Sequence, residues 1–195
     1  MIKLGVTGGI GSGKSTICKI FASLGIPIYE ADNRAKQVMD NSASIRQKLI
    51  DTFGADIYSS TDVLDRKKLA STVFSSPERL QQLNNIVHPE VRKDFLLWTE
   101  QQTHAPYVIQ EAAILFESGL NLIMDKSLTV NAPIEERITR VMKRDCATKQ
   151  QVLDRINNQM TDDQRLALAD FAISNSASDI VSTQVFKIDQ ILRHG

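Results

Sequence analysis

Apolar and polar positions alternate through Ile2, Leu4 and Val6, a spacing that predicts a short strand near the start of the chain. Ile17, Ile20, Phe21 and Leu24 then fall at i, i+3, i+4 and i+7, the stripe of an amphipathic helix. Gly25 stands where a C′ glycine ends such a helix, and Pro27 follows just beyond it. Residues 27–30 predict a second short strand. From there to about residue 102 the period is helical. Val38 and Met39 close one segment, and Ile45, Leu49, Ile50 and Phe53 form another that ends at Gly54. Ser76-Pro77-Glu78 supplies a cap, an N1 proline and an early acid for a long helix. Its stripe runs Leu80, Leu83, Val87, Val91, Phe95 and Trp98, with a break expected at Pro89.

Strand spacing returns at residues 107–109, 127–130 and 171–173. Between the last two, Pro133 precedes a helix from Ile134, and Thr148…Gln151 and Thr161…Gln164 have capping-box spacing. Strands alternating with helices predict an α/β fold with a parallel sheet covered on both faces. Ligands of such sheets gather at the carboxyl ends of the strands, which groups residues 8–16, Asp32 and Glu111.

Composition sets limits without changing this picture. The 195 residues suit one sizeable domain or a core with insertions, and no repeat or linker divides them. Lys+Arg and Asp+Glu are both 23, so the zero net charge argues against broad binding to nucleic acid or to an anionic membrane. Cys18 and Cys146 lie far apart in no metal-ligand spacing and read as reduced thiols. No leader segment and no apolar run of transmembrane length is visible, so a cytoplasmic protein is expected.

Residues 8–16, read as Gly8-Gly9-Ile10-Gly11-Ser12-Gly13-Lys14-Ser15-Thr16, carry the sharpest chemical signal. Gly8 to Ser15 fits G-x-x-x-x-G-K-[ST], the loop that wraps a nucleotide's phosphate tail. Backbone N–H groups turn inward there, a lysine reaches the outer phosphates, and a hydroxyl ligates Mg²⁺. A strand before the loop and a helix after it are the context this chemistry needs, because the helix dipole also favours anions.

Other candidates keep two readings. Asp32, at the mouth of the second strand, suits a carboxylate that accepts a proton from a substrate hydroxyl, or the N-cap of a helix beginning at Asn33. Glu111 suits a Mg²⁺ site reached through water, or a solvated turn. Arg137, Arg140 and Arg144 share one helix face, where they could meet an anion, although Glu136–Arg140 also has ion-pair spacing. His88, before Pro89, could touch substrate or simply pack, and Trp98 reads as core.

Taken in order, these motifs resemble the bacterial dephospho-coenzyme A kinases from end to end. Residues 7–16 match that family's T-G-G-I-G-S-G-K-S-T without a change. Glu30-Ala31-Asp32 matches its D/E-A-D step, Leu64 and Arg66 a leucine-x-arginine, and Leu83, Asn84, His88 and Pro89 an L-N-x-x-x-H-P turn. The run Glu111-Ala112-Ala113-Ile114-Leu115-Phe116-Glu117 stands where the family has D-x-P-L-L-F-E. Arg137, Arg140, Arg144 and Asp145 follow, then Arg155, Gln159 and Arg165, and finally Ala169, Asp170, Ile173 and Asn175. Glu111 and Ala113 replace the usual acid and proline, and Ser174-Asn175-Ser176 lacks the usual acid before the asparagine.

The resemblance implies a P-loop NTPase three-layer fold with five parallel strands in the order 2-3-1-4-5. It implies a nucleotide-binding core of residues 1–32, 104–132 and 161–195, a helical substrate-binding insertion at 33–103 and a lid at 133–160. The implied reaction phosphorylates the ribose 3′-hydroxyl of dephospho-coenzyme A with ATP and Mg²⁺, the last step of coenzyme A synthesis, in a monomer or small homo-oligomer. Gly8, Gly9, Gly11, Ser12, Gly13, Lys14, Ser15, Thr16, Arg137, Arg144 and Asn175 would hold ATP, with Ser15 also on the metal. Asp32, Lys14 and Arg140 would be catalytic, and Asp32, Arg66 and His88 would contact the acceptor. A kinase acting on another nucleotide or on shikimate, and an ATP-gated interaction protein, are the rival readings.

Overall fold

A computed structural model describes residues 1–59, 63–73 and 76–194. Positions 60–62 and 74–75, within the expected insertion, and residue 195, the expected end of the core, lie outside the described residues. Strand β1 (Ile2–Thr7) is buried from Leu4 onward, as a strand in the middle of a parallel sheet must be. It pairs on one side with β3 (Tyr107–Glu111) and on the other with β4 (Lys126–Asn131). β2 (Ile28–Glu30) extends the sheet beyond β3, and β5 (Phe171–Ser174) beyond β4. The order is β2-β3-β1-β4-β5 and every pairing is parallel, as the resemblance implies. Register places Val6 opposite Glu111, Glu111 opposite Glu30, and Asn131 opposite Ser174, so β2 and β3 end at one level with β1 one residue beyond, and β4 and β5 end level with each other.

Two compact units emerge, residues 1–30 with 101–195, and residues 31–100. In the first, helices α1 (Lys14–Ser23) and α9 (Val181–His194) cover one sheet face. Ile17, Phe21, Val185, Ile188 and Leu192 pack there on Leu4, Val6, Tyr107, Ile109, Leu128, Val130 and Ile173. The end of α1 has the paired bonds of a Schellman motif, Gly25 N–H to Ala22 O and Ile26 N–H to Phe21 O. Helix α9 is not among the predicted elements, although Val185, Ile188 and Leu192 keep helical spacing. Helices α6 (Ile134–Asp145), α7 (Lys149–Asn157) and α8 (Asp162–Leu168) lie between β4 and β5. Both expected capping boxes form, at Thr148 with Gln151 and at Thr161 with Gln164.

The second unit is helical: α2 (Ala31–Asn41), α3 (Ala43–Phe53), α4 (Arg66–Val73) and α5 (Pro77–Glu100). Ile45, Leu49, Phe53, Ile57, Leu64, Leu69 and Val73 make its buried centre, flanked by Leu80 and Leu83. Ser76 Oγ accepts from Arg79 N–H at 3.2 Å, which is the predicted cap. The expected break at Pro89 does not occur. Helix α5 runs through it, because Val87, Val91 and Phe95 are buried on both sides of the proline and packing outweighs one lost backbone bond. Trp98 is half-buried and stacks on Phe95 with ring centroids 6.1 Å apart.

A polar pin joins the sheet to its covering helix. Tyr107 Oη donates to Asp189 Oδ1 at 2.7 Å inside the core, and Arg193 Nε holds the same carboxylate at 2.8 Å. Burial first, and then the Asp189 carboxylate, hold the Tyr107 phenol protonated far above its ordinary range, so it remains a donor at all physiological pH. Tyr107→Phe leaves this acceptor one bond short and is expected to cost about 1.5–3 kcal/mol, or roughly 3–10 °C in melting temperature. A calorimetric scan checks this, and an unchanged melting temperature would contradict it.

Candidate functional site

The sequence between β1 and α1 must leave the sheet and start a helix within six residues, and glycine makes that turn possible. Gly13 is the N-cap of α1 at φ 95°, and no side chain caps the helix. The first turn of α1 holds no acid either, so its N-terminal dipole is left for an anion. Lys14 Nζ lies 2.8 Å from the Gly8 carbonyl, folded over its own loop. A cavity of about 250 Å³ opens here, lined by Gly11, Gly13, Lys14, Ser15, Thr16, Arg140, Val141 and Arg144. Three of its side chains are cationic, which suits a phosphate chain.

Ser15 Oγ donates to Glu111 Oε1 at 2.9 Å. Glu111 is therefore no mere solvated turn: it meets the loop hydroxyl at the end of β3. A hydroxyl that donates one bond still has lone pairs for a cation, and hydroxyl and carboxylate oxygens are the ligands a hard divalent ion takes. One turn along α1, the Cys18 thiol is buried, and burial followed by the Glu111 charge pushes its pKa well above the ordinary value. It is an inert protonated thiol.

The three arginines of α6 do not act alike. Arg140 borders the cavity, its Nη2 held by Glu136 at 2.7 Å and by the Asn175 carbonyl at 2.9 Å. The Glu136–Arg140 pair thus exists, and it aims the guanidinium along the loop rather than away from it. Arg144 also lines the cavity and pairs with Asp145, whose carboxyl is pulled down to about 2, chiefly by that bond and further by Arg155. Arg137 corrects the expectation of one open arginine face. It is only 3 % exposed, donates through Nε to the Ile10 carbonyl at 2.9 Å, and pairs with Asp162 at 2.9 Å. Burial lowers its pKa, and the facing Asp162 carboxylate opposes that shift.

Several loop groups that point away from the cavity find partners. Asn175 Nδ2 donates to the Ser12 carbonyl at 2.7 Å, and Gln159 Oε1 accepts from Ile10 N–H at 2.8 Å. A Cβ on Gly13 would stand 2.1 Å from Asn175 Nδ2, and one on Gly9 2.1 Å from Arg137 Nη2. These glycines are required by close approach as much as by phosphate. Gln159, Asp162 and Arg165 were not among the predicted site residues. Their only sequence signal is the place of Gln159 and Arg165 in the family-like pattern.

The remaining predicted residues belong to the helical unit. Asp32 sits in the first turn of α2, which begins at Ala31, so it is not the N-cap of a helix starting at Asn33. Arg66 opens α4 and grips the Asp40 carboxylate of α2 at 2.7 Å and the Lys36 carbonyl at 3.1 Å. His88 lies within α5, where burial and then Arg92 lower its imidazole pKa and favour the neutral form.

The sequence profile of the dephospho-CoA kinases matches residues 2–180. A dephospho-CoA kinase of Porphyromonas gingivalis is 40% identical over 99% of this chain and 95% of its own. That of Bacillus licheniformis is 39% identical over 90% of this chain and 88% of its own. Among solved structures, a Thermus thermophilus protein superposes with a TM-score of 0.87 at 35% identity, covering 100% of this chain and 98% of that one. The dephospho-CoA kinase of Campylobacter jejuni gives 0.71 at 28%, covering 98% and 96%. A shikimate kinase of Acinetobacter baumannii, at 13% identity, 0.55, and 98% and 93% coverage, shares the fold.

Proposed function

The chain belongs to the dephospho-CoA kinase family, and from that premise we propose how its residues carry out the family's reaction. The enzyme phosphorylates dephospho-coenzyme A with ATP, the final step of coenzyme A biosynthesis. One observation carries this reading: an intact phosphate loop, joined by Ser15 to Glu111, in a chain that matches the family over residues 2–180.

The ribose 3′-oxygen attacks the γ-phosphorus of ATP, the bond from that phosphorus to the β,γ-bridging oxygen breaks, and ADP leaves. The hydroxyl proton passes to the Asp32 carboxylate. Gly8, Gly9, Gly11, Ser12, Gly13, Lys14, Ser15 and Thr16 hold the triphosphate, with Arg140 and Arg144 lining the same cavity. Arg137 and Asn175 serve ATP through the loop backbone they grip. Arg66 and His88, at positions matching the family pattern, belong to the acceptor site, and the compact unit 31–100 supports a substrate-binding insertion at 33–103. Ser15, with Glu111 through water, would hold Mg²⁺, which would offset negative charge on the phosphates. Transfer then rests on placement and electrostatics, because phosphoryl transfer asks little covalent help of a protein. Among the described residues no helix is long and apolar enough to cross a membrane. With two free thiols, a reducing cytoplasm is the proposed location, for a monomer or small homo-oligomer.

The product is expected to carry a phosphomonoester on the ribose 3′ carbon, visible by phosphorus NMR and removed by a 3′-nucleotidase. A 2′-phosphate, or no new monoester, would overturn the assignment. Residues 133–160 act as the lid, since a kinase must exclude water from ATP. Arg137 anchors α6 to the loop, so hydrogen exchange is expected to slow most in α7 and its connection to α6 when both substrates are bound. Equal protection with and without ligands would contradict a lid.

A further inference from the structure

Behind the phosphate loop lie two guanidinium groups and one carboxylate. Arg165 is 1 % exposed and Arg137 3 %, and both reach Asp162. Arg165 also donates to the Met160 carbonyl, and its Nε has no partner among the described residues. Two cations and one anion leave a single positive charge buried against Gly9. A Cβ at that glycine would meet Arg137 Nη2 at 2.1 Å and Arg165 Nη2 at 2.9 Å. Burying an uncompensated charge is costly, and apolar side chains would prop a loop at less cost. The excess charge becomes favourable when an anion sits on the other side of the loop.

Resting on the reading that this loop holds ATP, we propose that Arg165 is a positioning residue of the nucleotide site. With Arg137 and Asp162 it fixes the Gly9–Ile10 backbone and sets a permanent positive charge behind the phosphates, so that the site favours the more highly charged triphosphate over the diphosphate. A prop that acts by shape alone would affect ATP and ADP equally. A charge would not, because ATP carries one more negative charge than ADP.

The test uses the full chain, with calorimetric dissociation constants for ATP and for ADP in the wild type, Arg165→Met and Arg165→Lys. Arg165→Met removes the charge while keeping an extended side chain. It is expected to weaken both nucleotides and to lower the ATP-to-ADP affinity ratio about tenfold, the Coulomb contribution of the one extra negative charge roughly 10 Å away at an effective dielectric constant of about 20. Arg165→Lys keeps the charge and is expected to hold the wild-type ratio of ATP to ADP affinity. Should Arg165→Met fail to fold, Asp162→Asn raises the buried charge by one with little change in size, and the ATP-to-ADP affinity ratio is expected to rise. Equal factors for both nucleotides, or a ratio unmoved in Asp162→Asn, would overturn the proposal. A wild-type protein that binds no ATP would instead overturn the reading on which it rests.

Discussion

Lys14→Ala is expected to lower kcat/KM by at least two orders of magnitude. Lys14 opens α1 and lines the cavity beside Ser15, Thr16, Arg140 and Arg144, with its ammonium held over the loop by the Gly8 carbonyl. That position suits the outer phosphates of a chain wrapped by the loop. Charge on the transferring group and on the leaving oxygen shifts during the reaction, and a fixed cation gains most where charge builds up. The loss should therefore fall on turnover at saturating ATP as well as on binding. The folding cost is expected to be small, because the side chain is half-exposed and its bond to the Gly8 carbonyl lies within the same loop. Steady-state kinetics with a melting curve separate the two effects. Near-normal turnover in a folded variant would remove this loop as the ATP site.

Asp32→Asn is expected to keep ATP binding within a few fold and to lower turnover by roughly 10²–10⁴, the range for losing a positioned general base. Asparagine preserves size and still accepts a hydrogen bond, but it cannot take the proton. Asp32 stands in the first turn of α2, where its charge also complements the helix dipole. If that were its whole purpose, the change would cost about 0.3–1 kcal/mol of stability and leave turnover intact. A variant that is stable, binds ATP and turns over slowly supports the base. One that turns over at the wild-type rate leaves only a helix end.

How much of this was legible in the residues depended on how local each cause is. The phosphate loop could be read because strand, glycines, lysine and helix are consecutive, and backbone chemistry fixes what they can do. The capping boxes at Thr148 and Thr161 could be read for the same reason. Pro89 misled because its local cost is fixed while the burial of Val87, Val91 and Phe95 that outweighs it comes from elsewhere in the chain. Arg137 shows the opposite limit. On the helix wheel it is equivalent to Arg140 and Arg144, and only the fold reveals that its face turns in toward Ile10 and Asp162. Arg165 and Gln159 approach the loop from about 150 residues away, a distance over which no spacing rule operates. Glu111 lay between: strand position suggested it, and the bond from Ser15 supplied the partner.

In the proposed mechanism this loop delivers phosphate from ATP to dephospho-coenzyme A. This delivery is tested most directly by following ADP release in a coupled assay, with dephospho-coenzyme A set against adenosine, AMP and shikimate as acceptors. One ADP is expected per coenzyme A formed with dephospho-coenzyme A, and release near the no-acceptor background with the other three. No ADP release with dephospho-coenzyme A, or release as fast with one of the other acceptors, would contradict it.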